Sequence, residues 1–592
     1  MLQDMKDPQA PRYASTRWRD PSVQHYYSFE EVVLKGLAAD GGLFHPDVIP
    51  DVGNSFLAWK DLSFPELAFQ VIRPYVSITE IKDADLKDVV DRSYSSFRHT
   101  ATVPLVCLDP NQNLHLLELF HGPTFAFKDV ALQFLGNLFE FFLVRRNQGL
   151  RPGESRHHLT VIGATSGDTG SAAIHGLRGK RDLSIFIMFP DGKISPIQEA
   201  QMTTVCDPNV HNLSIKGTFD DCQDFVKALF ADAGMNESHH LAAVNSINWA
   251  RILAQITYYF YAYFQLLRQN ETLAHEKVQF VVPTGNFGDI LAGFYARQMG
   301  LPIDKLVIAT NENDILHRFW LSGSYTKQPT ASHTVPGGLT EDGAKAHEDG
   351  VKETLSPAMD ILVSSNFERL LWHLAFDHEQ KNRFTATPSE QQPSTAAPEH
   401  QTAVQNAGSS IADWFRSLKL TGAFTVLQPD ILHAARATFQ TYRISNPETI
   451  STIRGVYRGD LFSTDASAGY ILDPHSAIGI AASLQLIKDN QSAQKDGSSH
   501  RPNEKEISKS PIHVISLATA HPAKFAEAVQ VSLSDQVDFD FQKQVLPPQF
   551  EELSSMPRRL RKVDPGISLE GIKDIIQEEM KQEKVQDSEH SR

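Results

Sequence analysis

Apolar residues occupy nearly every side of 130–144, a pattern that predicts a buried helix rather than an amphipathic surface one. A second long apolar helix, rich in Tyr and Phe, is predicted over 246–268. Short β-branched apolar runs at 159–163, 183–189, 212–215, 278–282, 305–310 and 513–519 read as strands. Helix patterns follow them: one from Pro196, one opened by Thr218 and Asp220, one after Gly288, and one over 522–533. Strands alternating with helices imply right-handed βαβ units and a parallel sheet covered on both faces. The first hundred residues lack this rhythm. They read as a helical unit in which Ser28 and Glu31 form a capping box, with further helix patterns near 63–73 and 83–98.

Three segments interrupt the α/β pattern. Residues 324–352 and 382–410 are rich in Thr, Ser, Pro, Gln, Ala and Gly, and 489–510 in Ser, Lys and Asn. None shows apolar periodicity, so all three are expected to be disordered surface insertions. The expected organisation is a helical N-terminal domain over 1–100, an α/β region over 101–576, and a charged, frayed tail over 577–592.

Composition narrows the function. A chain of 592 residues with 41% hydrophobic content holds more than one ordinary domain. Its net charge of -16, without a basic run, argues against nucleic-acid and membrane-surface partners. No apolar run is long enough to span a membrane, and the N-terminus lacks the apolar core of a leader. The three cysteines show no paired or metal-ligand spacing, which fits a reducing, cytoplasmic setting. His121, His475 and His521 follow no metal spacing either, so no metal is expected.

Candidate chemistry begins at Lys128, in Phe-His-Gly-Pro-Thr-Phe-Ala-Phe-Lys-Asp over 120–129. It stands at the positive end of the buried helix, where a cation is disfavoured. Desolvation and the dipole both favour the neutral amine, the form that adds to aldehydes. A lysine that merely snorkels from a helix start is the alternative. Two glycine loops follow predicted strands. Thr-Gly-Asn-Phe-Gly-Asp over 284–289 lets successive N–H groups converge on an anion at a helix start. It is neither a Walker loop nor a dinucleotide fingerprint, and a plain βα turn capped by Asp289 is its other reading. Ala-Thr-Ser-Gly-Asp-Thr-Gly over 164–170 offers the hydroxyls of Thr165, Ser166 and Thr169, with main-chain donors around Gly167, a set suited to a carboxylate. Asp168 is awkward beside an anion. Ser476, in Asp-Pro-His-Ser-Ala-Ile-Gly, lies in the first turn of another apolar helix, where a hydroxyl is usually a cap.

Together with Pro-Asp-Gly-Lys-Ile-Ser-Pro-Ile-Gln, Asn-Ser-Ile-Asn-Trp-Ala-Arg and Ala-Thr-Ala-His-Pro-Ala-Lys-Phe, in this order, these motifs closely resemble threonine synthases of the long fungal and bacterial form. The resemblance runs from about Tyr13 to about 565. It implies an α/β protein of pyridoxal-phosphate fold type II, with two α/β subdomains and the extra helical N-terminal domain. It implies pyridoxal 5'-phosphate as cofactor, held covalently by Lys128, its phosphate cradled by Gly285, Asn286, Phe287, Gly288 and Asp289. Ser476 falls where the family usually has threonine facing the pyridine nitrogen. Thr165, Ser166, Gly167, Asp168 and Thr169 would flank the ring and hold the substrate carboxylate. Lys193, Ser246, Asn248 and Arg251 are candidates near the leaving phosphate, with ordinary surface or interface cations the other reading of Lys193 and Arg251. The implied reaction converts O-phospho-L-homoserine and water into L-threonine and phosphate. A phosphohomoserine phospholyase, a serine/threonine dehydratase on the same fold, and a non-catalytic scaffold are the alternatives. Monomer and dimer are both compatible with the sequence.

Overall fold

The computed structural model describes residues 10–151, 154–270, 276–327, 345–346, 350–386, 396–462, 468–496 and 511–590. Two parallel sheets dominate them. The larger has the strand order Phe439–Arg443, Ile303–Thr310, Lys277–Pro283, Ile512–Ala518, Leu114–Glu118, Leu105–Asp109. All its neighbours run parallel except the edge hairpin of Leu105–Asp109 with Leu114–Glu118. The smaller has the order Arg561–Val563, Val210–Ile215, Leu183–Pro190, Leu159–Ala164, Leu241–Ala243, parallel throughout. Strand Leu183–Pro190 is buried along its whole length, as a parallel strand covered on both faces must be. The fold is thus mixed α/β.

Helix Lys128–Asn147 is buried on most of its surface and crosses Asp168–Leu177 at a point without side chains. A Cβ on Gly136 would lie 2.0 Å from the Gly176 carbonyl oxygen, and one on Gly176 2.5 Å from that of Leu132. Glycine at both positions lets the two backbones touch, which sets the separation of Lys128 and Asp168 at the two helix starts.

The N-terminal unit does not keep a core of its own. Helices Phe29–Lys35 and Phe64–Ile72 carry the Ser28–Glu31 and Ser63–Glu66 capping boxes, and Tyr13–Ser15 pairs antiparallel with Phe44–Pro46. Tyr13 and Tyr75 pack on Trp249, whose ring lies 5.9 and 5.7 Å from theirs, so the unit is fused to helix Trp249–Gln269. Thr218 caps Phe219–Ala231, with Asp221 as the reciprocal acid.

The structure departs from four expectations at the residues it describes. Residues 382–410 are not an unstructured insertion: helices Phe367–Ala386 and Ala396–Thr421 occupy both flanks, and 387–395 lie outside the described residues. Ala403, Val404, Ala407 and Ile411 form the buried stripe of the second helix, and a Cβ on Gly408 would lie 2.1 Å from the Trp18 carbonyl oxygen. Small residues on a packed face resemble low complexity in sequence. Helix Pro474–Asp496 likewise runs into 489–510, of which 497–510 are not described. Within 324–352, Ser324–Thr326 pairs with Ala423–Thr425 and Lys345–Ala346 with Lys352–Glu353, while 328–344 and 347–349 are not described. The tail over 577–592 belongs, as far as His590, to helix Leu569–His590. That helix buries Ile572, Ile576 and Met580 against the smaller sheet, and Glu583 accepts from Ser184 at 2.6 Å. No helix among the described residues is long and apolar enough to cross a membrane.

Candidate active site

The loops of Lys128, Thr165 and Thr284 leave the C-terminal ends of parallel strands, where open α/β sheets bind ligands, and so does the loop at Thr519. Leu114–Glu118 leads to Lys128, Leu159–Ala164 to Thr165, Lys277–Pro283 to Thr284, and Ile512–Ala518 to Thr519. The Lys128 loop is closed by Asp129, whose carboxylate accepts from the Thr124 N–H at 2.8 Å and hydroxyl at 2.7 Å. It is stitched to the next strand's loop: the Phe127 N–H donates to the Thr519 carbonyl (2.8 Å) and the His521 N–H to that of Phe125 (3.1 Å).

Lys128 Nζ lies 3.5 Å from Asp168 Oδ2 in a buried setting. Burial lowers its pKa, Asp168 opposes this, and Lys524 and Arg251 add to it. Asp168 faces cations on both sides. Its Oδ1 is 3.0 Å from Lys524 Nζ and accepts from Gln198 Nε2 at 2.9 Å. Burial would raise the Asp168 carboxyl, but Lys524 and Lys128 hold it well below the usual carboxylate range. The same loop depends on Gly167, with φ of 133°, where a Cβ would lie 2.3 Å from Gln198 Oε1. Thr165 Oγ1 accepts from the N–H groups of Gly167 (2.9 Å) and Gly170 (2.8 Å), and Ser166 is exposed on the loop.

At 284–289, Phe287 sits in the left-handed region (φ 65°), and helix Gly288–Gln298 starts without a side-chain cap. Its first N–H groups are therefore open to an anion. The loop is clamped by 364–366. Ser364 donates to the Gly285 carbonyl (2.7 Å), Asn366 N–H and Nδ2 to that of Asn286 (3.0 Å each), and Ser365 to Asn286 Oδ1 (3.2 Å). A Cβ on Gly285 would lie 3.1 Å from the Ala358 carbonyl oxygen. Asp289 turns inward, where its Oδ1 accepts from the hydroxyls of Tyr258 (2.5 Å) and Tyr259 (3.0 Å). Burial pushes its carboxyl up to about 6, against both of those bonds. Only its main-chain N–H faces the loop's task.

Ser476 donates to Asp473 Oδ2 and accepts from the Thr519 N–H at 3.2 Å. With its proton fixed on a buried carboxylate, it offers one remaining lone pair as an acceptor. Arg251 is buried, and its Nη1 donates to the Asn245 carbonyl at 2.6 Å, while Nε meets no hydrogen-bond partner among the described residues. Burial pulls its pKa down to about 10. Such a cation suits an anionic ligand. Ser246 meets Ser365 at 3.1 Å beside the loop. Asn248 caps the helix through Ala250 N–H (3.1 Å) and donates to the Val33 carbonyl (2.8 Å), so its amide is engaged by the chain. Lys193 is exposed and makes no contact with the buried group.

Sequence reasoning missed Lys524, Gln198, Gln201, Asp473 and 364–366. Lys524 carried a usable signal: like Lys128, it stands among apolar residues in the loop-to-helix segment that follows a strand.

Family profiles match three consecutive parts of the chain: "Threonine synthase N terminus" over 12–94, "Pyridoxal-phosphate dependent enzyme" over 97–356, and "Threonine synthase, C-terminal" over 499–576. The threonine synthase of Schizosaccharomyces pombe is 49% identical over 574 residues, covering 97% of this chain and 99% of its own. That of Pseudomonas aeruginosa is 41% identical, covering 88% and 90%. The crystal structure of threonine synthase from yeast superposes with a TM-score of 0.80 at 48% identity, covering 96% of this chain and 98% of its own. The pyridoxal-phosphate-bound threonine synthase of Brucella melitensis does so at 0.74 and 36%, covering 96% and 99%.

Proposed function

The chain belongs to the threonine synthase family of pyridoxal-phosphate-dependent lyases, and from that membership we propose how its own residues carry the reaction. The activity converts O-phospho-L-homoserine and water into L-threonine and phosphate, the last step of threonine biosynthesis. The site fits the cofactor: an uncapped helix start faces the phosphate's chemistry, and a buried lysine with a lowered pKa faces the aldehyde's. When bound, pyridoxal phosphate supplies an aldehyde for an amine and a ring that spreads an α-carbanion's charge.

Main-chain N–H groups of Gly285, Asn286, Phe287, Gly288 and Asp289 hold the cofactor phosphate. Ser476 would meet the ring nitrogen through its hydroxyl oxygen, accepting a hydrogen bond when that nitrogen is protonated. Lys128 Nζ would hold the cofactor through its aldehyde and, as a free amine, would take and return protons at the substrate carbons on its face. Thr165, Ser166 and Thr169 hold the substrate carboxylate, on a turn that Gly167 shapes with its N–H bound to Thr165, and with Asp168 turned away to the two lysines. Arg251 and Ser246 receive the phosphate that leaves Cγ. Cys107, Cys206 and Cys222 are all unpaired, which supports a cytoplasmic setting for this chemistry.

The carrying observation is the buried amine of Lys128 held beside Asp168. Borohydride should fix the cofactor onto the peptide containing Lys128, and Lys128→Ala should bind cofactor without that label and turn nothing over. Wild type should release phosphate and threonine in equal amounts, with one solvent oxygen in the new hydroxyl. Label on another lysine would overturn the site. Phosphate with 2-oxobutyrate would indicate the phospholyase, and 2-oxobutyrate with ammonia from threonine the dehydratase.

A further inference from the structure

Lys524 is a second lysine in the buried group, and its side chain is 0% exposed. It stands on the single turn Pro522–Phe525, which His521 caps by accepting from the Ala523 N–H at 3.2 Å. Its ammonium has three acceptors within reach, one for each proton: the Thr124 carbonyl at 2.8 Å, Gln201 Oε1 at 3.0 Å and Asp168 Oδ1 at 3.0 Å. Lys128, at 3.5 Å from the other carboxylate oxygen, is the more distant of the two cations.

One buried carboxylate thus serves two lysines, and the count of charges matters. With Lys128 as ammonium, two cations share the single carboxylate of Asp168, and Arg251 adds another close by. With Lys128 neutral, Asp168 and Lys524 balance. Without Lys524, the unshared carboxylate would pair with Lys128 and hold it as the ammonium, the form that neither adds to an aldehyde nor accepts a proton. We propose that Lys524 is a positioning residue: it is the permanent counter-ion of Asp168, and by occupying that carboxylate it keeps Lys128 as a free amine. The inference rests on Lys128 being the cofactor lysine. It also accounts for an acid in a loop that otherwise suits an anion, since Asp168 and Lys524 act as a pair. The charged and titratable groups facing this pair and Lys128 are Asp129 at the start of the Lys128 helix, His175 on the Asp168 helix, Arg251 from the Trp249 helix and His475 from the Pro474 helix.

The test uses the full-length chain freed of cofactor, acetylated with limiting acetic anhydride across a pH series, with the Lys128 peptide quantified by mass spectrometry. The pH profile of turnover is followed on the loaded enzyme in parallel. Lys524→Met should move the midpoint of Lys128 acetylation upward by about one pH unit or more. Asp168→Asn should move it downward. The double variant should return it close to wild type, although each single change removes a buried partner. A merely structural Lys524 would lower thermal stability and activity at every pH with an unmoved midpoint, and the double variant would give no return; that result overturns the proposal. If Lys524→Met does not fold, Asp168→Asn decides alone, and an unmoved midpoint there overturns it too. Borohydride labelling separates the two levels: absence of label at Lys128 overturns the cofactor assignment, whereas label with unmoved midpoints overturns only the role of Lys524.

Discussion

Asp289 shows how one residue can belong to a binding loop while its side chain works elsewhere. Its N–H lies in the anion loop, yet its carboxyl is sealed against two tyrosines and one oxygen has no hydrogen-bond partner among the described residues. Its folded pKa, about 6, lies above the ordinary 3.8. The stability it contributes is therefore complete below pH 4 and is lost as pH rises through 6. A displacement of roughly two pH units corresponds to about 3 kcal/mol. Asp289→Asn keeps an acceptor for both phenols and does not titrate. In the cofactor-free chain its melting temperature should match wild type near pH 4 and exceed it above pH 6; parallel melting curves would show that Asp289 does not titrate in this range. Such inward use of a loop acid is not written in the motif. Gly285 to Asp289 and Lys128 were legible because neighbours in sequence make the loop. Lys524, Asp473 and 364–366 were not, because their roles arise only where separate strands end side by side.

The crossing of helices Lys128–Asn147 and Asp168–Leu177 turns a packing detail into active-site geometry. Each begins with a residue of the buried ion group, and the backbones meet at Gly136 and Gly176. Gly136→Ala places a methyl 2.0 Å from a carbonyl oxygen that cannot swing aside, so the helices must separate. Overpacking of this kind costs about 1–3 kcal/mol. The larger effect should be on turnover, since a displacement of about 1 Å at reacting groups can cost on the order of a hundredfold. Calorimetry and kcat on one preparation check this; a lowered melting temperature with unchanged kcat would show that the site tolerates the separation. Helix existence was readable here from apolar density. The same density criterion failed at Ala396–Thr421, whose buried stripe is built of Ala and Val at a spacing hidden among Ser, Thr and Gln.

Across the whole molecule the chain's two ends act as structure. The N-terminal unit shares its core with the Trp249 helix, and the C-terminal helix covers the smaller sheet. A chain ending at Ser568 would expose the sheet face covered by Ile572, Ile576 and Met580, each worth roughly 1.5–3 kcal/mol when fully buried. It would also leave His211 without Glu579 and Glu583. An earlier unfolding transition should appear in calorimetry, and a single transition at the wild-type temperature would show that the helix adds no docking energy. The parallel sheets were legible from strand–loop–helix alternation. The edge strands Leu241–Ala243 and Arg561–Val563 were not, being three residues each, too short to set a period.

Strand Ile512–Ala518 lies between Lys277–Pro283 and Leu114–Glu118, at the centre of the larger sheet. During synthesis those two neighbours leave the ribosome long before the strand that joins them. At about 5–20 residues per second, the interval from Pro283 to Ala518 lasts on the order of 10–50 s. For that time the nascent protein holds two open sheet edges, the kind of surface that chaperones shield and that seeds aggregation. Catalytic competence waits for this strand, because Thr519 and Lys524 follow it. A chain released before it carries Lys128 and Asp168 but not Lys524, so premature termination yields an inert fragment rather than a half-regulated enzyme.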